Sequence, residues 1–145
     1  MRLLIQRVCK ASITVDNNVV GEIKEGLLVF LGIHLDDTDA NIDYLIKKII
    51  NLRIFNDSEG KMNLSIQDIK GEVLLVSQFT LYADCRKGNR PDFANAAKPE
   101  KALFLYNMFL SKIKNTNLHI ETGIFGASMK IAFINDGPVT ILLEK

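Results

Sequence analysis

The sequence predicts an α+β domain in which a strongly curved mixed sheet, close to a β-barrel, has two main helices packed outside it. About seven segments have the composition of strands, and two have the spacing of amphipathic helices. These segments do not follow the regular β–α alternation of a doubly wound fold. The chain is 145 residues long, which fits one domain over residues 1–145.

The first part of the chain is predicted to hold three strands. Leu3–Val15 is rich in β-branched residues, and "DNN" at 16–18 is a turn signal that lets Val19–Ile23 return as a hairpin arm. A second turn is expected at "EG", residues 25–26. The continuous apolar run Leu27–Ile33 then predicts a strand that is buried on both faces.

Two later segments have the period of a helix. We expect Asp36, Asp37 or Thr38 to cap the first, because acidic residues crowd its start. Pro99 begins the second, where a first-turn proline belongs. The predicted apolar stripes are Ile42, Leu45, Ile46, Ile49 and Ile50 in the first helix, and Ala102, Leu103, Tyr106, Phe109, Leu110 and Ile113 in the second.

The remaining strands are predicted at Glu72–Tyr82, around residues 117–122, at 129–135 and at 139–143. The segment 56–63, "NDSEGKMN", is predicted to be a loop. Along Glu72–Tyr82, the alternation of a pleated strand is expected to place Gln78, Thr80 and Tyr82 on one face.

Composition narrows the classes of function. A formal net charge of +1 disfavours a protein that grips long nucleic acid with its whole surface, so any RNA contact must come from a local patch. No apolar run approaches the roughly 18 residues of a membrane span, and no signal peptide is recognisable. We therefore expect a cytoplasmic protein with no membrane partner, in which Cys9 and Cys85 are free thiols.

The familiar catalytic motifs do not occur. His34 and His119 are the two histidines of the chain, and neither has an acid or a thiol at a motif spacing. Asp36, Asp37 and Asp39 resemble the start of a calcium loop, but the later Gly and Glu are missing, which favours helix capping. The sequence therefore predicts neither a metal nor a cofactor.

Three stretches remain unusual. "SQFTLY" sets Ser77, Gln78 and Thr80 in an apolar run, either as a functional site or as the polar face of a half-buried strand. "NDGPVT" joins two apolar strands, and its Gly137-Pro138 pair fits a turn. "CRKGNRP" carries Arg86, Lys87 and Arg90, which can bind phosphates or simply face solvent.

Together these stretches resemble the D-aminoacyl-tRNA deacylase family. The resemblance rests on "SQFTLY", "DCRKGNRPDF", "TGIFGASM" and "NDGPVT" in this order, and it extends to "QRVCKASITV" and "GLLVFLGI" near the start. Cys85 stands where such proteins more often have threonine. The resemblance implies a β-barrel-like domain that works as a homodimer, needs no cofactor or metal and does not bind DNA. It also implies hydrolysis of the ester between a D-amino acid, or glycine, and the terminal adenosine of tRNA.

The resemblance also implies roles for individual residues. The catalytic segment is Ser77, Gln78, Phe79 and Thr80, and the last two are expected to offer backbone N–H groups to the oxyanion. A cis Gly137-Pro138 pair from the other subunit is expected to capture the substrate's amino group and exclude an L side chain.

Other positions have supporting roles in the resemblance. Phe125 and Met129 are expected to shape the pocket, and Arg7 to lie near the Gly-Pro loop. Arg86, Lys87 and Arg90 are expected to contact phosphates.

Two other functions stay open on the residues alone. One is a small-molecule esterase or amidase with Thr80 as nucleophile, which needs a base that the sequence does not offer. The other is a non-catalytic RNA-binding module, which predicts aromatic side chains spread over a basic strand face.

Overall fold

Eight strands and two α-helices make up the fold, which a computed structural model describes for all residues from Met1 to Lys145. The helices are α1 (Ala40–Asn51) and α2 (Pro99–Lys114), and a 3₁₀ turn spans Phe79–Tyr82. The strands are β1 (Arg2–Val15), β2 (Asn18–Ile23), β3 (Gly26–Gly32), β4 (Phe55–Asn56), β5 (Met62–Leu64), β6 (Glu72–Ser77), β7 (His119–Thr122) and β8 (Lys130–Glu144). The predicted α+β class is confirmed.

The main sheet is mixed and curls almost into a barrel. Its order is β2-β1-β3-β6-β7, with β8 beside β1. The long strand β1 pairs antiparallel with β2, β3 and β8, whereas β3–β6 and β6–β7 are parallel pairs. The two ends of this order approach each other, since a Cβ on Gly21 of β2 would lie 2.7 Å from the carbonyl oxygen of Thr122 in β7.

Both helices pack their apolar stripes on the sheet, as predicted. Phe109 of α2 and Leu45 of α1 are fully buried in a core of 20 residues that also takes in β1, β3 and β6. Strand β3 is buried on both faces except at Phe30, which is partly exposed. One member of the predicted α2 stripe was wrong: Leu103 is 41% exposed, whereas Leu105, two residues further on, is buried.

The capping prediction for α1 was wrong. The helix begins after Asp39, whose side chain makes no capping hydrogen bond. Asp37 is buried instead and accepts hydrogen bonds from the Met1 ammonium group and from the backbone N–H of His34. Thr38 donates its backbone N–H to the side chain of Asn41, so a residue of the first helical turn, rather than one before the helix, makes the side-chain hydrogen bond at the helix start.

Two further corrections concern strands. The predicted loop 56–63 contains most of a short antiparallel hairpin, β4–β5, whose strands are too short to leave a periodic pattern. The two strands predicted at 129–135 and 139–143 are one strand, β8, which pairs with β1 on both sides of the Gly-Pro segment. One register shift lies opposite that segment and a second lies next to it. Cys9 and Cys85 are free, as expected. Neither helix has the length and apolar content needed to cross a membrane.

Candidate active site

The strand predicted at Glu72–Tyr82 ends five residues earlier, at Ser77. Gln78 makes the last ladder bond, donating its N–H to the carbonyl of Leu31 at 2.8 Å. The chain then turns, and Leu81 donates its N–H to the carbonyl of Gln78 at 3.3 Å. The predicted two-face alternation of Gln78, Thr80 and Tyr82 is therefore wrong, because these residues lie in a 3₁₀ turn.

The start of this turn presents backbone donors. Leu81 is the first residue whose N–H bonds back within the turn, so Phe79 and Thr80 precede the first intrahelical bond. The amide group of Gln78 donates to the hydroxyl of Thr80, which fixes one side chain against the other. The turn thus carries two N–H groups with no intrahelical partner beside a hydroxyl that already accepts a hydrogen bond.

A cavity of about 660 Å³ opens beside the turn. Ser77, Gln78 and Phe79 line it, whereas Thr80 does not. Phe125 and Met129, the residues that the sequence assigned to a pocket, lie in its wall. The rest of the lining is mostly apolar and includes Leu31, Ile33, Val76, Ala102 and Ile131.

Phe93 is a wall residue that sequence reasoning missed. Its ring meets the ring of Phe79 edge-on, with centroids 5.0 Å apart. The same kind of contact joins Phe125 to Tyr106 of α2 at 5.4 Å. The one available signal for Phe93 was a lone aromatic side chain in an otherwise polar loop.

The segment around Gly137-Pro138 lies outside this cavity. The peptide bond between them is cis, and both residues are exposed at the surface. Neither lines the cavity of its own chain. One chain therefore holds the cavity and the Gly-Pro segment at separate places.

Buried Arg7 fastens the Gly-Pro segment from behind. Its Nε donates to the carbonyl of Asp136 at 3.1 Å and lies 3.0 Å from the carboxylate of the same residue. Its Nη1 donates to the carbonyl of Ile54 at 2.6 Å. Arg7 is 5% exposed, so these contacts connect the segment to the protein interior.

The side chain of Asn135 makes a second set of hydrogen bonds that hold the Gly-Pro segment. Its Oδ1 accepts the N–H of Val139 at 3.0 Å, and its Nδ2 donates to the side chain of Gln6 at 2.9 Å. Gly137 adopts φ +124°, a region that L side chains rarely adopt. The segment is thus held by hydrogen bonds on both sides of a residue that must be glycine.

The basic loop does not join the cavity. Arg86 forms an ion pair with Asp84, with Nη2 and Oδ2 2.5 Å apart, and these bonds lower the pKa of Asp84 to about 2. Arg86 lines a different, polar cavity of about 730 Å³. Lys87 and Arg90 are exposed and do not line the cavity beside Phe79.

The histidines also lie elsewhere. The ring of His34 packs on Tyr82 with centroids 5.0 Å apart, and His119 Nε2 lies 3.1 Å from a carboxylate oxygen of Glu121. Neither lines the cavity beside Phe79. No three His, Cys, Asp or Glu side chains converge closely enough to hold a metal ion. The arrangement can offer backbone hydrogen bonds and an apolar wall, but no carboxylate or imidazole base.

Comparison with known proteins identifies the family. The model for D-Tyr-tRNA(Tyr) deacylase matches residues 4–144. The chain belongs to this family. A D-aminoacyl-tRNA deacylase of Thermosipho melanesiensis is 55% identical over 145 residues, which cover 99% of this chain and 97% of the relative. One of Clostridioides difficile is 56% identical over 144 residues, with the same coverage of both chains.

Two solved structures share the fold of this chain. A "c-Myc DNA Unwinding Element Binding Protein" matches with a TM-score of 0.95 and 44% identity, covering 100% of this chain and 99% of that one. A "probable eukaryotic D-amino acid tRNA deacylase" shares the fold, with a TM-score of 0.83, 17% identity and coverage of 98% and 97%. The cavity and the Gly-Pro segment both lie within the region that the deacylase family model matches.

Proposed function

We propose that this chain is a D-aminoacyl-tRNA deacylase, which hydrolyses the ester of a D-aminoacyl group, or of glycine mischarged on tRNA-Ala, to the terminal adenosine. The observation that carries the proposal is the apolar cavity beside the 3₁₀ turn. The N–H groups of Phe79 and Thr80 at the start of that turn have no intrahelical partner, and no carboxylate or imidazole lines the cavity. The names of relatives more than 50% identical over nearly the whole chain support it.

The chemistry needs little from the protein beyond positioning. An aminoacyl ester is already activated, so stabilising the oxyanion of the tetrahedral intermediate lowers the main barrier. One such hydrogen-bond donor can contribute about 3–4 kcal/mol. The neighbouring 2′-hydroxyl of the terminal ribose is placed to assist the attacking water, which replaces a protein base.

A nucleophilic Thr80 is the rival mechanism, and its surroundings do not favour it. Its hydroxyl meets the side-chain amide of Gln78, which cannot take a proton. We expect Thr80→Ala to keep substantial activity, because the backbone N–H of residue 80 survives the change. A loss of several orders of magnitude in kcat would favour the nucleophile instead.

Chiral selection is proposed to come from a second copy of the chain. The Gly137-Pro138 segment is exposed and fastened by Arg7, and it lies outside its own chain's cavity. Strand β8 also exposes apolar side chains, with Ile134 at 51% and Leu142 at 53%. In a homodimer, the segment of one subunit would enter the cavity of the other and leave no room for an L side chain.

Mixing two inactive variants tests this arrangement. Gly137→Ala disables the segment, and Ala127→Trp fills the cavity. Random exchange of subunits should restore up to about a quarter of wild-type activity, because a mixed dimer has one site with an intact cavity and an intact partner segment. No recovery from mixtures shown to exchange subunits would mean that each chain builds its own site.

The activity itself is tested with matched D- and L-aminoacyl-tRNA, following ester loss, with glycyl-tRNA-Ala as a third substrate. Hydrolysis of the D and glycyl esters with the L ester intact is the expected result. Equal rates on the D and L forms, or none on the D form, would overturn the proposal. Replacing the terminal 2′-hydroxyl by hydrogen should slow hydrolysis strongly, and an unchanged rate would remove the RNA from the mechanism.

A further inference from the structure

One cationic side chain lies in the wall of the otherwise uncharged cavity. Of the 17 residues that line the cavity beside Phe79, Lys98 alone carries a formal charge. Lys98 is exposed to solvent, and its ammonium group makes no ion pair and no hydrogen bond within the chain. The cavity therefore has a free positive charge at its boundary with solvent.

Of the other cations on the loop before α2 and on its first turn, two are already engaged, whereas Lys87 and Arg90 are exposed but do not line this cavity. Arg86 is held by Asp84, and Lys101 donates to the backbone carbonyl of Leu35 at 2.6 Å. The backbone of Lys98 is fixed at the start of α2, where its carbonyl accepts the N–H of Ala102 at 2.9 Å. Its side chain is free to reach a ligand at the cavity mouth from a defined origin.

We propose that Lys98 binds the 5′-phosphate of the terminal nucleotide of the RNA substrate. This inference rests on the proposed function. A nucleoside held in the apolar cavity with its ester at Phe79 must direct its 5′-phosphodiester out towards solvent, since the cavity has no other charged group to meet it. Lys98, rather than Arg86, then supplies the first phosphate contact beyond the terminal nucleoside.

Equilibrium binding tests the phosphate contact without any turnover. The probes are 5′-AMP and adenosine, which differ only by this phosphate. The wild-type protein should bind 5′-AMP roughly threefold to fivefold more tightly than adenosine, and Lys98→Ala should abolish the difference. Lys98→Arg should restore it, and Lys114→Ala, which removes an exposed lysine at the far end of α2, should leave it unchanged.

Kinetics give the second readout. Lys98→Ala should raise KM for D-aminoacyl-tRNA and reduce the salt dependence of log(kcat/KM) by roughly 0.7, the share of one phosphate of single-stranded RNA. Hydrolysis of a D-aminoacyl-adenosine, which has no phosphate, should be unchanged.

The outcomes separate this inference from the function beneath it. The inference is overturned if wild-type protein binds 5′-AMP no better than adenosine. It is also overturned if Lys98→Ala weakens the binding of 5′-AMP and of adenosine by the same factor. Failure of the wild-type protein to hydrolyse either D substrate would instead overturn the proposed function, while the AMP comparison would still report on Lys98.

Discussion

Replacing Gly137 by alanine tests whether the geometry of the Gly-Pro segment controls activity. Gly137 has φ +124°, and a Cβ there would lie 2.9 Å from Arg7 Nη2 and 2.9 Å from Val139 Cγ2. Both distances are shorter than real Cβ atoms show, so the segment, the Arg7 guanidinium or Val139 must move. The substitution therefore cannot keep both the backbone conformation and the bonds that fasten it.

The magnitude follows from two contributions. A non-glycine residue in such a backbone region costs about 1–3 kcal/mol. Overpacking against neighbouring atoms typically costs a further 1–3 kcal/mol. Because the segment is exposed, it can shift outward and avoid part of that cost, so we expect the free energy of unfolding to fall by about 2 kcal/mol. A shift of about 1 Å in a positioning group can lower the rate about 100-fold, and we expect at least that loss in kcat/KM for D-aminoacyl-tRNA.

Gly60→Ala is the matched control. Gly60 also has a positive φ, +77°, but its Cβ would meet no atom within 4 Å, and it lies in the turn between β4 and β5. Its cost should be about 1–2 kcal/mol of backbone conformation, without loss of activity. Urea unfolding and deacylation are measured on both variants. Wild-type activity in Gly137→Ala, or an equal loss in Gly60→Ala, would refute the reasoning.

Three further predictions follow from buried side chains. Arg7→Lys keeps the charge but loses the guanidinium that bonds to the carbonyls of both Asp136 and Ile54. D-aminoacyl-tRNA hydrolysis should therefore fall at least tenfold, while 5′-AMP binding stays unchanged. A parallel loss of both would contradict the view that Arg7 acts by positioning the Gly-Pro segment. Burial raises the pKa of Tyr106 to about 12 from 10.0, so the unfolded chain releases this proton at lower pH than the folded chain, and the free energy of unfolding should fall between about pH 10 and 12. Urea unfolding across this pH range should show a shallower fall for Tyr106→Phe than for the wild type. Identical slopes would count against Tyr106 as the cause. Phe109→Ala should lower the free energy of unfolding in urea by about 3–5 kcal/mol, because its side chain is fully buried. The exposed control Phe104→Ala should lower it by less than about 0.5 kcal/mol. A loss below about 1 kcal/mol for Phe109→Ala would show that α2 does not anchor the core.

The sequence predicted the parts of the fold that depend on long apolar patterns. Strand β3 and both helices follow from runs of buried side chains, which leave a period in the sequence. The turn at Phe79–Tyr82 could not be predicted in this way, because "FTLY" continues the apolar run of β6. The turn depends on a residue of the neighbouring strand β3, because Gly32 leaves room for the turn to pack against it. A Cβ on Gly32 would lie 3.0 Å from Leu81 Cβ and 3.1 Å from the carbonyl oxygen of Gln78.

The site residues divide in the same way. Ser77–Phe79, Phe125 and Met129 were predicted on motifs and meet around one cavity. Phe93 and Lys98 reach the same cavity from the polar loop before α2. A lone aromatic residue in a polar loop is the one local signal for Phe93, and Lys98 has none, since only the folded chain brings that loop to β6. The phosphate-binding role of the basic loop was predicted from its charges and from the resemblance, and neither shows that Arg86 already forms an ion pair with Asp84.

Backbone groups account for the absence of a side-chain motif in the proposed mechanism. The proposed donors are the N–H groups of Phe79 and Thr80, and the proposed chiral filter is the backbone of Gly137-Pro138. Side-chain substitutions such as Thr80→Ala should then be mild, whereas Gly137→Ala, which changes backbone geometry, should be severe. In this proposed mechanism, the side chains expected to matter most are those that hold the backbone in place, above all buried Arg7 and the amide of Asn135. A site of this kind selects substrates by the shape of rigid peptide groups. It can therefore reject an L side chain while discriminating little between different D-amino acids.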